Sequence, residues 1–144
     1  MSSNNKETSS NSRLSVEQFD HAALVVRDVS ASVKWYKDWL GFDSLGSGQN
    51  APPHYVGNGI TKLALLPASD SEKFTFTLNP GVRACHLAFR TNRCSFDEYE
   101  RRLTGDGIKY EKLTHSDSQS LYFSDPDGSL IEVVTYERVR VDHE

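Results

Sequence analysis

Two histidines and one glutamate in this chain stand where polar side chains are costly to keep. His21 lies in Phe19-Asp-His-Ala-Ala-Leu-Val-Val26, His86 in Cys85-His-Leu-Ala-Phe89, and Glu132 in Leu130-Ile-Glu-Val-Val134. Each segment reads as a short apolar strand, and an imidazole or carboxylate on such a strand is expensive to bury without a partner. Two neutral imidazoles and a carboxylate make a ligand set for one divalent ion, with coordination positions left open. Taken singly, each is explained as simply by a hydrogen-bonded core histidine or an ion-paired glutamate. The recurrence of the two histidines in matching surroundings turns the set toward metal binding.

The elements that must position these residues follow from apolar spacing. In Ser30-Ala-Ser-Val-Lys-Trp-Tyr-Lys-Asp-Trp-Leu-Gly41, Ser30 is a candidate cap. Val33, Tyr36 and Leu40 recur at helical spacing, and Gly41 supplies a stop. Ser95-Phe-Asp-Glu98 has the form of a capping box, and Phe96, Tyr99 and Leu103 repeat the spacing before Gly105 and Gly107. Strand-like runs follow the first helix near Phe42–Leu45, His54–Val56 and Lys62–Leu66. Others follow the second at Ile108–Leu113, Ser120–Ser124 and Ser129–Tyr136, with Asp125-Pro-Asp-Gly128 as a turn between the last two.

The order β-α-β-β-β therefore occurs twice. His21 and His86 stand 65 positions apart, Tyr36 and Tyr99 63, and Leu63 and Ile131 68. Such near-constant offsets indicate an internal duplication. Module 1 covers about 18–67, a polar linker about 68–80, and module 2 about 81–137, within a single domain over 18–137. Residues 1–17 read as a disordered tail and 138–144 as a C-terminal tail. Alternation sets His21 with Ala23 and Val25, and His86 with Ala88, on one face of their strands; Glu132 shares its face with Leu130 and Val134. If the sheets of the two modules close toward each other, the three side chains converge. The aromatics Trp39, Tyr55 and Phe76 could line a cleft or fill a core, and the core reading is preferred.

Composition narrows the partners. The formal charge is −4 from 16 basic and 20 acidic residues, interspersed along the chain. No basic footprint for nucleic acid is present. No run approaches the roughly 20 apolar residues of a membrane span, and no secretory leader is visible. Two cysteines, Cys85 and Cys94, make no disulfide framework, so both are expected as packed small residues in a reducing, cytoplasmic setting. A small-molecule partner is expected.

With Asp20-His-Ala-Ala-Leu-Val-Val26, Ser32-Val-Lys-Trp-Tyr-Lys-Asp-Trp-Leu-Gly-Phe42, Cys85-His-Leu-Ala-Phe89 and Leu121-Tyr-Phe-Ser-Asp-Pro-Asp-Gly-Ser-Leu-Ile-Glu-Val133, the chain resembles the vicinal oxygen chelate superfamily. That family includes glyoxalase I, extradiol dioxygenases, fosfomycin-resistance enzymes and bleomycin-resistance proteins. The resemblance implies an α+β fold of two paired βαβββ modules whose curved sheets form a cleft. It also implies one divalent metal ion on His21, His86 and Glu132, with Fe2+ or Mn2+ favoured and Zn2+ or Ni2+ as alternatives, and a homodimer.

Departures from the family pattern shape the expected chemistry. The fourth ligand of glyoxalase I falls at about Ala64, which has no donor. The threonine that thiol-transferring fosfomycin enzymes carry two residues after the first histidine is Ala23 here. Tyr122 matches a tyrosine shared by dioxygenases and fosfomycin enzymes. His115, in a loop-like Thr114-His-Ser-Asp-Ser-Gln119, is a candidate dioxygenase-type base, although a solvent-exposed loop histidine explains it as simply. His54 and His143 are read as a loop and a tail histidine. The expectation is a metal-dependent enzyme on a small substrate with vicinal oxygens, dioxygenase chemistry slightly favoured. Lyase, isomerase or epoxide-opening chemistry is the alternative, and a bleomycin-resistance-type binding protein without catalysis is the alternative of another class.

Overall fold

The computed structural model describes residues 14–47, 53–69 and 85–138. Within them the chain forms β1 (Ala22–Val26), α1 (Val29–Leu40), β2 (Asp43–Ser47), β3 (His54–Gly57) and β4 (Lys62–Pro67). The order then repeats as β5 (Leu87–Arg90), α2 (Arg93–Gly105), β6 (Glu111–Thr114), β7 (Gln119–Ser124) and β8 (Leu130–Thr135). Most of the expected N-terminal tail and linker, Phe76, and the C-terminal tail past Arg138 lie outside the described residues.

Helix starts differ from the sequence reading by local capping chemistry. Asp28, not Ser30, caps α1, its Oδ1 accepting the Ala31 N–H at 3.0 Å; Ser30 lies inside the first turn. Asn92 caps α2 by accepting the Ser95 N–H at 2.8 Å, so the expected box at Ser95 begins three residues too late. Gly41 ends α1 in the left-handed region (φ 66°), and its N–H bonds Lys37 O at 3.0 Å, a conformation glycine takes without a Cβ penalty.

Each module forms one four-stranded mixed sheet, ordered β1-β4-β3-β2 and β5-β8-β7-β6. The first strand of each module pairs in parallel with the last, and the hairpins are antiparallel. Registers match between the modules. Ala64 sits between Ala23 and Tyr55, as Glu132 sits between Ala88 and Tyr122.

Alternation then divides the faces. Val56, Leu63, Leu65, Leu121, Phe123, Ile131 and Val133 turn into one core with Tyr36, Phe96 and Leu103 from the helices. The opposite face is open, and Val25 (46%) and Leu113 (44%) are exposed on it. Cys85 and Cys94 are both exposed, contrary to the packed positions expected. Cys85 precedes β5, and Cys94 points outward from the first turn of α2.

The modules are joined through their helices. Trp39 packs on Phe123 with ring centroids 5.9 Å apart, Tyr99 Oη donates to Trp39 O, and Arg102 Nη1 donates to Asp38 O at 2.8 Å. The fully buried Tyr36 donates its hydroxyl to Asp125 Oδ2 at 2.8 Å. The other oxygen of Asp125 accepts the N–H groups of Asp127 and Ser129 at 2.9 and 2.8 Å, and Gly128 takes φ 85° to close the turn. The turn that feeds β8 is thus tied to α1 of the other module. Among the described residues no helix is long and apolar enough to cross a membrane.

Burial first, and then the Asp125 charge, push the Tyr36 phenol well above its ordinary value of 10.0. A folded-state pKa above the unfolded one gives stability that is complete below pH 10.0 and lost as pH rises beyond it. Tyr36→Phe is expected to cost about 1.5–3 kcal/mol in urea unfolding at neutral pH. Above pH 10.0 the deficit should narrow by up to about 1.4 kcal/mol per pH unit. A deficit that stays constant with alkaline pH would show that the phenol is not the group being titrated.

Candidate functional site

β8 is buried on both faces, and Glu132 projects from its open-side face with only 8% of its surface exposed. A carboxylate in that position requires donors. Two are supplied. Ser120, two residues from Tyr122 on β7 and 2% exposed, donates its hydroxyl to Glu132 Oε1 at 2.6 Å. His86 Nε2 lies 2.9 Å from Glu132 Oε2. His86 stands one residue ahead of β5, and its ring meets Tyr122 edge-on at 5.8 Å and 88°. Burial first, and then Glu132, push the Tyr122 phenol above its ordinary value, so at neutral pH it is a proton-bearing hydrogen-bond donor.

His21 occupies the matching place in module 1, one residue ahead of β1, with Tyr55 edge-on at 5.8 Å and 89°. Its Nδ1 lies 2.5 Å from Asp20 Oδ2. Ala64 stands where module 2 has Glu132, so this half-site lacks a carboxylate of its own on the sheet. Among the described residues no three His, Cys, Asp or Glu side chains gather in a group fit to hold a metal ion. The structure therefore brings together His86, Glu132 and Tyr122, and leaves His21 outside that group within one chain.

The other sequence candidates fall elsewhere. His115 begins the β6–β7 turn, its N–H bonded to Ser118 O at 2.9 Å. That turn lies past Gln119, roughly 10 Å of strand beyond Tyr122, so His115 does not join the His86–Glu132 pair. His54 is held between Ser44 Oγ (2.7 Å) and Ser47 Oγ (3.3 Å) across the β2–β3 hairpin. It opens β3, where the strand-like run His54–Val56 placed it, and is a hairpin histidine. Ser120 was missed, and Tyr55, for which the core reading was preferred, stands beside His21. Both were legible, Ser120 as a polar residue alternating with Tyr122 on an apolar strand, Tyr55 as the counterpart of Tyr122 at an offset of 67.

The donor set fits a divalent cation. Two ligands each about 2.0–2.2 Å from one ion stand about 3 Å apart, close to the His86–Glu132 separation, and with Ser120 on Oε1 it is Oε2 that faces His86. Between β1 and β4 of one module and β5 of the other, an open cavity of about 670 Å³ has His86 in its lining with the core-side residues Leu63, Leu87 and Val133, while Glu132, Ser120 and Tyr122 do not line it. That volume is of the size that takes a small molecule. Ser120→Ala is expected to leave a buried carboxylate oxygen without its donor. It should cost about 1–3 kcal/mol in metal-free unfolding; an unchanged midpoint would mean the bond contributes nothing.

Comparison with known proteins agrees with this architecture. A family model, the Glyoxalase/Bleomycin resistance protein/Dioxygenase superfamily, matches residues 18–133. A metallothiol transferase FosB of Staphylococcus epidermidis is 28% identical over 131 residues, spanning 85% of this chain and 84% of that protein. The glyoxylase/bleomycin resistance protein/dioxygenase domain of Frankia sp. EAN1pec superposes with a TM-score of 0.65 at 23% identity, over 88% of this chain and 96% of that one. The fosfomycin resistance protein FosX of Listeria monocytogenes gives a TM-score of 0.65 at 17% identity, over 84% and 94%. At these identities the two structural likenesses speak to the fold alone. With the family model spanning both modules, the chain belongs to the Glyoxalase/Bleomycin resistance protein/Dioxygenase superfamily.

Proposed function

We propose that this chain is a divalent-metal-dependent enzyme that activates a small substrate bearing adjacent oxygens for nucleophilic addition or isomerisation. The observation that carries the reading is the His86–Glu132 contact with Ser120 behind it. An imidazole and a buried carboxylate held at ligand spacing are the kind of donor pair a divalent cation would share. A bound divalent ion would act as a Lewis acid on the substrate oxygens, an effect worth several kcal/mol of barrier. Mn2+, Fe2+, Zn2+ and Ni2+ all suit two imidazoles and one carboxylate.

The chain's own residues have separable tasks in this reading. His86 and Glu132 hold the ion, and Ser120 fixes which carboxylate oxygen faces it. Tyr122, kept protonated, donates to the oxygen on which negative charge develops. His21 is the third ligand and comes from a second copy of the chain, whose open sheet face would cover Val25 and Leu113. A homodimer with two shared sites satisfies closed two-fold symmetry.

The similarity to a metallothiol transferase favours addition over the dioxygenase chemistry expected from the sequence. Ala23, in place of a threonine, speaks against a thiol as the nucleophile, which leaves water or another small nucleophile.

Protein purified without chelators should contain near-stoichiometric divalent metal by elemental analysis. Glu132→Ala and His86→Ala should lose nearly all of it together with turnover on small epoxides or vicinal-oxygen acids. Metal that persists in both variants, or a wild-type protein that takes up none on titration, would remove the enzyme reading and leave a cleft that only binds.

A further inference from the structure

The two modules carry matching histidines but hold them by different means. In module 2, His86 faces Glu132 across the sheet. In module 1 the corresponding position is Ala64, which offers no polar atom. His21 engages instead the residue before it, with Nδ1 2.5 Å from Asp20 Oδ2. Lys62, at the start of β4, places its Nζ 3.4 Å from that same oxygen and 5.4 Å from the centre of the Tyr55 ring. Asp20, His21, Tyr55 and Lys62 thus form one connected cluster at the head of β1 and β4. By the same offsets, module 2 has Cys85 where Asp20 stands and Leu130 where Lys62 stands. Neither can play these parts.

We propose that Asp20, with Lys62 behind it, is a positioning residue that presents His21 to the metal through Nε2. The inference rests on the metal reading above. A neutral imidazole carries one N–H and one lone pair, and the hydrogen bond made by one nitrogen decides which is which. A carboxylate that accepts from Nδ1–H puts the lone pair on Nε2, fixes the ring plane and raises its basicity. For this the carboxylate must be ionised. The Lys62 Nζ, 3.4 Å from Asp20 Oδ2, favours that charged form. No carboxylate of the sheet stands opposite His21, so Asp20 is the side chain that engages its Nδ1.

Asp20 is 67% exposed, and ion pairs so open to water contribute little to folding. Its loss should therefore act on ion binding and spare the fold. This separates a positioning role from a structural one.

The test is Mn2+ titration of the metal-free, full-length protein by calorimetry, with the Co2+ visible spectrum as a second readout. Asp20→Ala should weaken binding about 10- to 100-fold and alter the Co2+ bands, with the metal-free melting temperature unchanged. Asp20→Asn, whose amide oxygen accepts from the same Nδ1–H, should recover part of the affinity. Unchanged affinity in Asp20→Ala, beside a large loss in His21→Ala, overturns the positioning role. So does a loss that Asn does not relieve and that a lower melting temperature accompanies. If His21→Ala also binds normally, it is the metal reading that has failed.

Discussion

A carboxylate inside a β-sheet sets the terms for everything around it. Glu132 extends from a strand whose neighbours Ile131, Val133 and Val134 are buried, and a charge in such a place is tolerated only with donors close by. The sheet supplies them by register. Tyr122 lies directly across from Glu132, Ser120 is the next residue along β7 on that face, and His86 stands just ahead of the strand on the other side. The helix α1 enters the same account from a distance, since Tyr36 holds the Asp125 turn through which β7 passes into β8. Shifting that turn by one residue would rotate Glu132 into the core, because side chains alternate strictly along a strand.

Duplication explains both the likeness and the difference of the two halves. Matching registers place Tyr55 and Tyr122 edge-on to their histidines at the same 5.8 Å. Only one half kept a carboxylate at the centre of the sheet. Ala64 leaves module 1 with an imidazole and no sheet ligand, and Asp20 and Lys62 surround that imidazole from the strand heads instead. In the proposed enzyme the unlike halves together would supply two imidazoles and one carboxylate to one ion.

Much of this was legible in the sequence for a physical reason: period and offset survive in the chain itself. The two helices and the repeated strand order follow from alternation and from near-constant spacing. Caps were read two or three residues late because Ser30 and Ser95 are good cap types, and only backbone geometry shows that Asp28 and Asn92 fill the role. The Asp20 contact was not legible, since adjacent residues on a strand ordinarily point apart, and only the irregular backbone ahead of β1 lets Asp20 reach its neighbour. His115 misled because a histidine in a polar loop resembles a general base until the hairpin turn that holds it is seen. Convergence of His21 with His86 and Glu132 depends on how sheets meet, which no spacing along one chain encodes.

In the proposed enzyme the site is divided between two copies, with His21 from one and His86 and Glu132 from the other. Co-expression of His21→Ala and Glu132→Ala chains, followed by elemental analysis of the purified mixture, addresses that division directly. Each variant alone should be nearly metal-free, while random pairing should restore about a quarter of the wild-type metal, because a mixed dimer keeps one intact site of two. Mixed dimers that form and yet hold no more metal than the single variants would contradict it.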